Sequence, residues 1–266
     1  MEAFSELVAI IKKLRSPEGC LWDREQTAES LIPFMIEEVY EVIDALDHKN
    51  DHELVNELGD VMLHVVFQAV IAEEDNRFTI QDVLNNITQK MISRHPHVFS
   101  NRVFDTDDDI HRYWERKKQS EGRKRLLDGI PDELPSLHKA YRVQSKVAMV
   151  GFDWDNIQDV WQKIREEIQE LEDASHTQNH QELEMEFGDL LFSLVNVGRF
   201  LKINADEALR KSTDKFIQRF HEVERIAQEK GKDLQNMSLD DLETLWQKAK
   251  KGSKNQEKYG NNTQDK

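Results

Sequence analysis

The chain has 266 residues, enough for one large or two modest domains, and each half is long enough to bury a core. Its 36 Lys plus Arg stand against 52 Asp plus Glu, and the net charge of -16 repels nucleic acid and anionic membrane surfaces. A polyanionic substrate would therefore need a few placed cations or a divalent metal, and the lone cysteine, Cys20, excludes an internal disulfide framework and a cysteine-based zinc site.

The opening stretch MEAFSELVAIIKKLR reads as an amphipathic helix without the uninterrupted apolar core of a signal peptide. No long apolar run follows it, so a cytoplasmic protein with no membrane span and no nucleic-acid partner is expected. Apolar residues at three and four spacing predict helices over 31–48, 51–74, 79–94 and 107–121. Residues 122–151 hold Gly122, Gly129, Pro131, Pro135 and Gly151, the densest run of breakers, and are expected to be a linker. A second set of helices is predicted over 156–174, 179–203, 205–231 and 238–251, and the polar tail 253–266 is expected to be disordered. The fold class is all-α, with an N-terminal module at 1–121 and a C-terminal module at 152–252.

The two sets repeat one another. Glu37, Glu38, Glu41, Glu57 and Asp60 recur as Glu166, Glu167, Glu170, Glu186 and Asp189, all at an offset of 129. Lys90 and Arg94 answer Lys215 and Arg219 at an offset of 125, while Trp114 and Lys118 answer Trp246 and Lys250 at 132. Upstream, Trp22-Asp23 answers Trp154-Asp155. A gap between blocks accounts for each change of offset, so an internal duplication is the economical reading.

The repeated acids carry the chemistry. Glu167 and Glu170 lie within a turn of each other on one helix, and Glu186 and Asp189 do likewise on the next. A short connection around 175–179 makes the two helices antiparallel neighbours, so the stripes can converge beside the apolar sides formed by Val160, Ile164, Ile168 and Leu171 and by Leu183, Phe187, Leu190 and Leu194. Four gathered acids repel one another unless cations intervene, and all-oxygen ligation favours Mg²⁺ or Mn²⁺. A ferritin-like di-iron site is excluded, because no histidine stands three residues after a glutamate. Lys163, one turn before Glu167, and the one-turn pair Lys215 and Arg219 are the complementary cations for a triphosphate. Trp246 is a core residue or a stacking platform, with Lys250 beside it. His95 and His97 read as a structural loop, Asp105 and Asp107 to Asp109 as helix capping, and no Walker-type loop or G-x-S-x-G elbow is present.

These pieces resemble the MazG-type nucleoside triphosphate pyrophosphohydrolases of the all-α pyrophosphatase superfamily. The resemblance rests on GCLWDREQT at 19–27, EEVYE at 37–41, NELGD at 56–60, SRHPHVF at 93–99, the stretch 134–154, EEIQE at 166–170 and EFGDL at 186–190. Leu21 departs from the usual proline of the first stretch. The resemblance implies Mg²⁺ held by Glu167, Glu170, Glu186 and Asp189. It implies substrate contacts from Lys163, Glu166, Lys215, Arg219, Trp246 and Lys250, release of a nucleoside monophosphate and pyrophosphate, and a homodimer. Glu166 or Glu170 is the expected proton acceptor. The N-terminal copy keeps Glu38, Glu41, Glu57, Asp60, Lys90 and Arg94 but has Phe34 at the position of Lys163, so it is expected to be a weaker or regulatory site, or a scaffold. The competing reading is a non-catalytic helical interaction protein whose acidic faces are simply solvated.

Overall fold

A computed structural model describes residues 2–106, 109–110, 113–114, 117, 125–177 and 179–260, with side chains through 251. Among the described residues there are helices and one 3₁₀ turn and no strand. The chain divides into two compact units, Met1–Lys117 and Lys118–Lys266.

In the first unit, α1 (Glu2–Leu14) is followed by the short α2 (Leu21–Glu25) and the long pair α3 (Ile32–Asp47) and α4 (Asp51–Glu74). Next come α5 (Ile80–Arg94) and the one-turn α6 (Pro96–Phe99). The α3–α4 turn closes through Lys49, at φ 54°, and Asn50, whose side chain accepts the Glu53 amide at 3.3 Å. Thr79 and Asp82 form a reciprocal capping box at the start of α5. α1 packs on α4, and their facing side chains Ile11, Val66, Phe67, Val70 and Ile71 form the core with Leu31. Arg15 ties this corner: it donates to Glu74 at 2.7 Å and to the carbonyls of Asp23 and Gln26, with its guanidinium 5.4 Å from the Phe67 ring centre.

Helix α4 is long and apolar enough, on composition alone, to cross a membrane, contrary to the expectation that no such run exists. Its second half supplies Val66, Phe67, Val70 and Ile71 to the core of this unit, so burial against neighbouring helices accounts for the apolar composition there, while Val55, Leu58 and Met62 nearer its start are exposed. The helix expected over 107–121 falls largely outside the described residues, as does Lys118. Within what is described, Trp114 donates its indole N–H to the Arg94 carbonyl at 2.5 Å and packs edge-on to His95, while His97 packs on Phe104.

In the second unit, α7 (Ser136–Ala148) precedes the long pair α8 (Ile157–Ser175) and α9 (His180–Phe200). α10 (Ala205–Glu229), the 3₁₀ turn Leu234–Asn236 and α11 (Leu239–Gly260) follow. The segment expected to be a linker thus contains a helix, and α7 packs against α9 and α10. Breakers at both ends, not within it, explain the misreading: Pro135 starts the helix, and Gly151, at φ 85°, turns the chain after it. α11 also continues past 251, into the stretch expected to be a disordered tail.

Asn156, Asn179 and Asn204 cap α8, α9 and α10 through backbone amides at 3.1 to 3.3 Å. Val160 and Ile164 of α8 meet Val197 of α9 in one buried cluster. Val223 and Ala227 of α10 meet Leu245 and Ala249 of α11 in another, against which Trp246 packs.

Candidate metal and nucleotide site

The hairpin of α8 and α9 converges the acidic stripes of the second unit. Carboxylate oxygens of Glu167, Glu186 and Asp189 lie within 4.8 Å of one another, and Glu167 is 4 % exposed. Glu170 adds its charge: burial first, then repulsion from Glu170, Asp189 and Glu167, pushes the Glu186 carboxyl above its ordinary range. This strain, in a donor set made only of oxygens, fits a hard divalent cation that would bridge the charges.

Lys163 flanks the cluster from one turn earlier on α8. Its ammonium lies 2.6 Å from Glu166 and 2.9 Å from Glu167, and these two carboxylates hold its pKa well above the usual lysine range. The lysine therefore stays charged, while Glu166 is an exposed carboxylate just outside the acidic cluster.

A cavity of about 480 Å³ opens beside these groups. Lys163, Glu167 and Asp189 form its acidic end, and Phe192, Ser193, Asn196 and Arg199 continue the wall along α9. Gln144 and Val147 of α7, with Phe152 and Trp154 of the turn after it, also line it. Of the metal and substrate residues expected from the sequence in this module, Lys163, Glu167 and Asp189 line this space. Lys215 is exposed and Arg219 half-buried on α10, and the Arg219 Nε has no hydrogen-bond partner. Trp246 of α11 packs 4.9 Å, centre to centre, from Phe216 of α10, with Lys250 half-buried one turn on.

The first unit also gathers acids, but a different three of the repeated set, the counterparts of Glu167, Glu170 and Glu186. Oxygens of Glu38, Glu41 and Glu57 lie within 4.8 Å of one another. Burial and the Asp60 charge raise the Glu38 carboxyl, and burial and a hydrogen bond with Glu41 raise Glu57. Lys90 and Arg94 sit on α5, exposed and half-buried. At the 129-residue offset, however, Phe34, Leu63, His64, Phe67 and Val70 stand where the second unit has Lys163, Phe192, Ser193, Asn196 and Arg199. Phe67 and Val70 are buried in the core, and His64 places Nε2 3.8 Å from Glu38 in a space that is polar but small in the other copy.

The cavity wall was the part missed from the sequence. Gln144, Asn196, Arg199 and the aromatic residues of 152–154 belong to no acidic or basic stripe. For Asn196 and Arg199 the signal is the polarity difference from their counterparts Phe67 and Val70 in the other copy.

The family model of the "MazG nucleotide pyrophosphohydrolase domain" matches residues 26–99 and 156–224, covering both acidic hairpins. A Thermotoga maritima protein named "Nucleoside triphosphate pyrophosphohydrolase/pyrophosphatase MazG" is 47 % identical over 252 residues, 94 % of this chain and 96 % of its own length. An Escherichia coli "Nucleoside triphosphate pyrophosphohydrolase" is 39 % identical over 258 residues, 94 % of this chain and 98 % of its own. The Bacillus subtilis protein YabN is 44 % identical over 254 residues, 93 % of this chain but 51 % of its own length.

Proposed function

Because the chain belongs to the MazG nucleotide pyrophosphohydrolase family, we propose that its C-terminal module hydrolyses nucleoside triphosphates, with Mg²⁺ or Mn²⁺, to the monophosphate and pyrophosphate. The observation that carries this reading is the meeting of Glu167, Glu186 and Asp189 within 4.8 Å at the end of the cavity, beside a charged Lys163.

Glu167, Glu186 and Asp189, with Glu170 one turn along from Glu167, would hold the divalent cation. When bound, the cation neutralises phosphate charge and makes a water more acidic. Lys163 exchanges its carboxylate partners for phosphate oxygens as substrate enters, which frees Glu166. Glu166 or Glu170 accepts the proton of the water that attacks the α-phosphorus. Lys215 and Arg219 on α10 meet the outgoing pyrophosphate, with Trp246 and Lys250 supporting that wall from α11. The N-terminal module keeps an acidic cluster but has Phe34 for Lys163, so its role is that of a weak site, a regulatory site or mainly a dimerisation scaffold.

Exposed apolar side chains, among them Met185 at 61 % and Phe187 at 54 %, support the homodimer reading, and light scattering after gel filtration tests it. A cytoplasmic place belongs to the same reading, since the charge balance and the exposed free Cys20 suit a reducing compartment. The deciding experiment incubates the full chain with mixed triphosphates and Mg²⁺ and separates the products. Monophosphate and pyrophosphate are expected. Orthophosphate alone would place cleavage at another bond, and no product with either metal would leave the interaction-protein reading standing.

A further inference from the structure

Two carboxamides that line the cavity are in complementary hydrogen-bonding states. Gln144 is 5 % exposed, and its Nε2 donates to the Phe192 carbonyl at 2.8 Å. A carbonyl can only accept, so the amide orientation is set and Oε1 is the remaining acceptor. That oxygen is buried and has no hydrogen-bond partner. Asn196 is in the opposite state. Its Oδ1 accepts from Arg199 Nε at 2.9 Å, and arginine has no acceptor, so Nδ2 is left as a donor. Arg199 is itself held by both carboxylate oxygens of Asp153. The acid fixes the guanidinium, and the guanidinium fixes the amide.

The fold does not require this arrangement. In the N-terminal copy the positions of Asn196 and Arg199 are Phe67 and Val70, both packed into the core of the equivalent hairpin. The C-terminal copy instead keeps polar groups beside a cavity, with one buried acceptor unsatisfied. Such an acceptor is unfavourable until a donor arrives. Asn196 lies two turns along α9 from Asp189, about 10 Å by helix rise, so the amides stand away from the acidic end on the same wall. Phe152, Trp154 and Phe192 line the space with exposed ring surface.

We infer that Gln144 Oε1 and Asn196 Nδ2 are the acceptor and donor that read the edge of a nucleobase lying between the aromatic side chains of this cavity. This rests on the triphosphate reading given above and adds the base subsite to it. Adenine, guanine, cytosine and uracil each present a donor beside an acceptor on the pairing edge, so the amide pair accommodates all four. It rejects a base with no donor. Asp153 and Arg199 are positioning residues for Asn196.

The test compares ATP with purine riboside 5′-triphosphate, whose base has acceptors but no N–H donor, on the wild-type full chain with Mg²⁺. The expected kcat/KM for the donor-less analogue is lower by on the order of 10- to 100-fold, mostly through KM. Gln144→Met is expected to bring the ratio towards one. Asn196→Leu is expected to raise KM for ATP by about tenfold or more with a smaller change in kcat. Equal kcat/KM for the two nucleotides on the wild type overturns the inference while leaving the hydrolase reading intact. So does a Gln144→Met protein that retains the wild-type ratio. If Gln144→Met does not fold, the wild-type ratio and Asn196→Leu decide. If the wild type cleaves neither nucleotide with Mg²⁺ or Mn²⁺, the hydrolase reading fails and this inference falls with it.

Discussion

Lys163 places its ammonium 2.9 Å from the nearly buried carboxylate of Glu167, one turn along the same helix. The copy of this pair in the first unit is Phe34 and Glu38, where the cation is absent and His64 stands 3.8 Å from the acid. One half of the protein thus joins a cation to its acidic cluster at the position where the other half presents a ring.

Replacing that cation should therefore impair the C-terminal site alone. Lys163→Met is expected to lower kcat/KM for triphosphates by on the order of 10- to 100-fold, the range for loss of a charge-assisted phosphate contact. Pyrophosphate release measures it. A variant with wild-type kcat/KM would remove Lys163 from the substrate path.

The two acidic clusters separate by the same logic. Glu170 acts electrostatically on Glu186 beside the cavity, whereas its counterpart Glu41 neighbours Glu57 in a hairpin whose wall is filled by Phe67 and Val70. Glu170→Gln is expected to abolish measurable hydrolysis and Glu41→Gln to keep most of it. Steady-state rates of the two variants decide, and the reverse pattern would move the chemistry to the first unit.

Much of this arrangement is legible in the sequence because helices and charges are periodic. The spacing of Glu167, Glu170, Glu186 and Asp189 fixes which side of each helix they share, and the short turn at 175–179 makes the helices neighbours. The stretch 134–154 was not legible. Pro135 and Gly151 are helix boundaries as readily as linker residues, and nothing local shows that Gln144 and Lys146 between them are buried. Asn196 and Arg199 look like ordinary polar helix residues until their counterparts Phe67 and Val70 prove to be core. A side chain that lines a cavity formed by three segments has its meaning in tertiary contacts.

The raised Glu186 carboxyl gives a prediction about stability. Its pKa in the folded protein lies above the ordinary 4.5, through burial and then its acidic neighbours. Its contribution therefore favours the folded state below that ordinary value and is lost as pH rises through the raised one. In chelator, Glu186→Gln should melt higher than the wild type at neutral pH, and the difference should shrink on acidification. Added Mg²⁺ should raise the wild-type melting temperature more than that of the variant. Calorimetry of both proteins with and without Mg²⁺ measures this. A variant that melts lower than the wild type in chelator, with equal Mg²⁺ responses, would contradict a strained cation site.

Lys146 makes the sharpest demand on the segment before α8. It is 2 % exposed on α7, and its ammonium donates to the carbonyls of Leu126 at 3.0 Å and Asp128 at 2.9 Å. A buried charge is tolerable here because these acceptors replace water, and the contact pins the turn at 125–129 to the helix. Lys146→Met keeps the length of the side chain but leaves both carbonyls without this donor. The expected loss is about 2–4 kcal/mol from unfolding of the C-terminal unit, the range for charge-assisted hydrogen bonds left unmade in a buried place. Urea titration should show a lower midpoint with an unchanged slope, and a midpoint equal to the wild type would mean that the turn is held by other contacts.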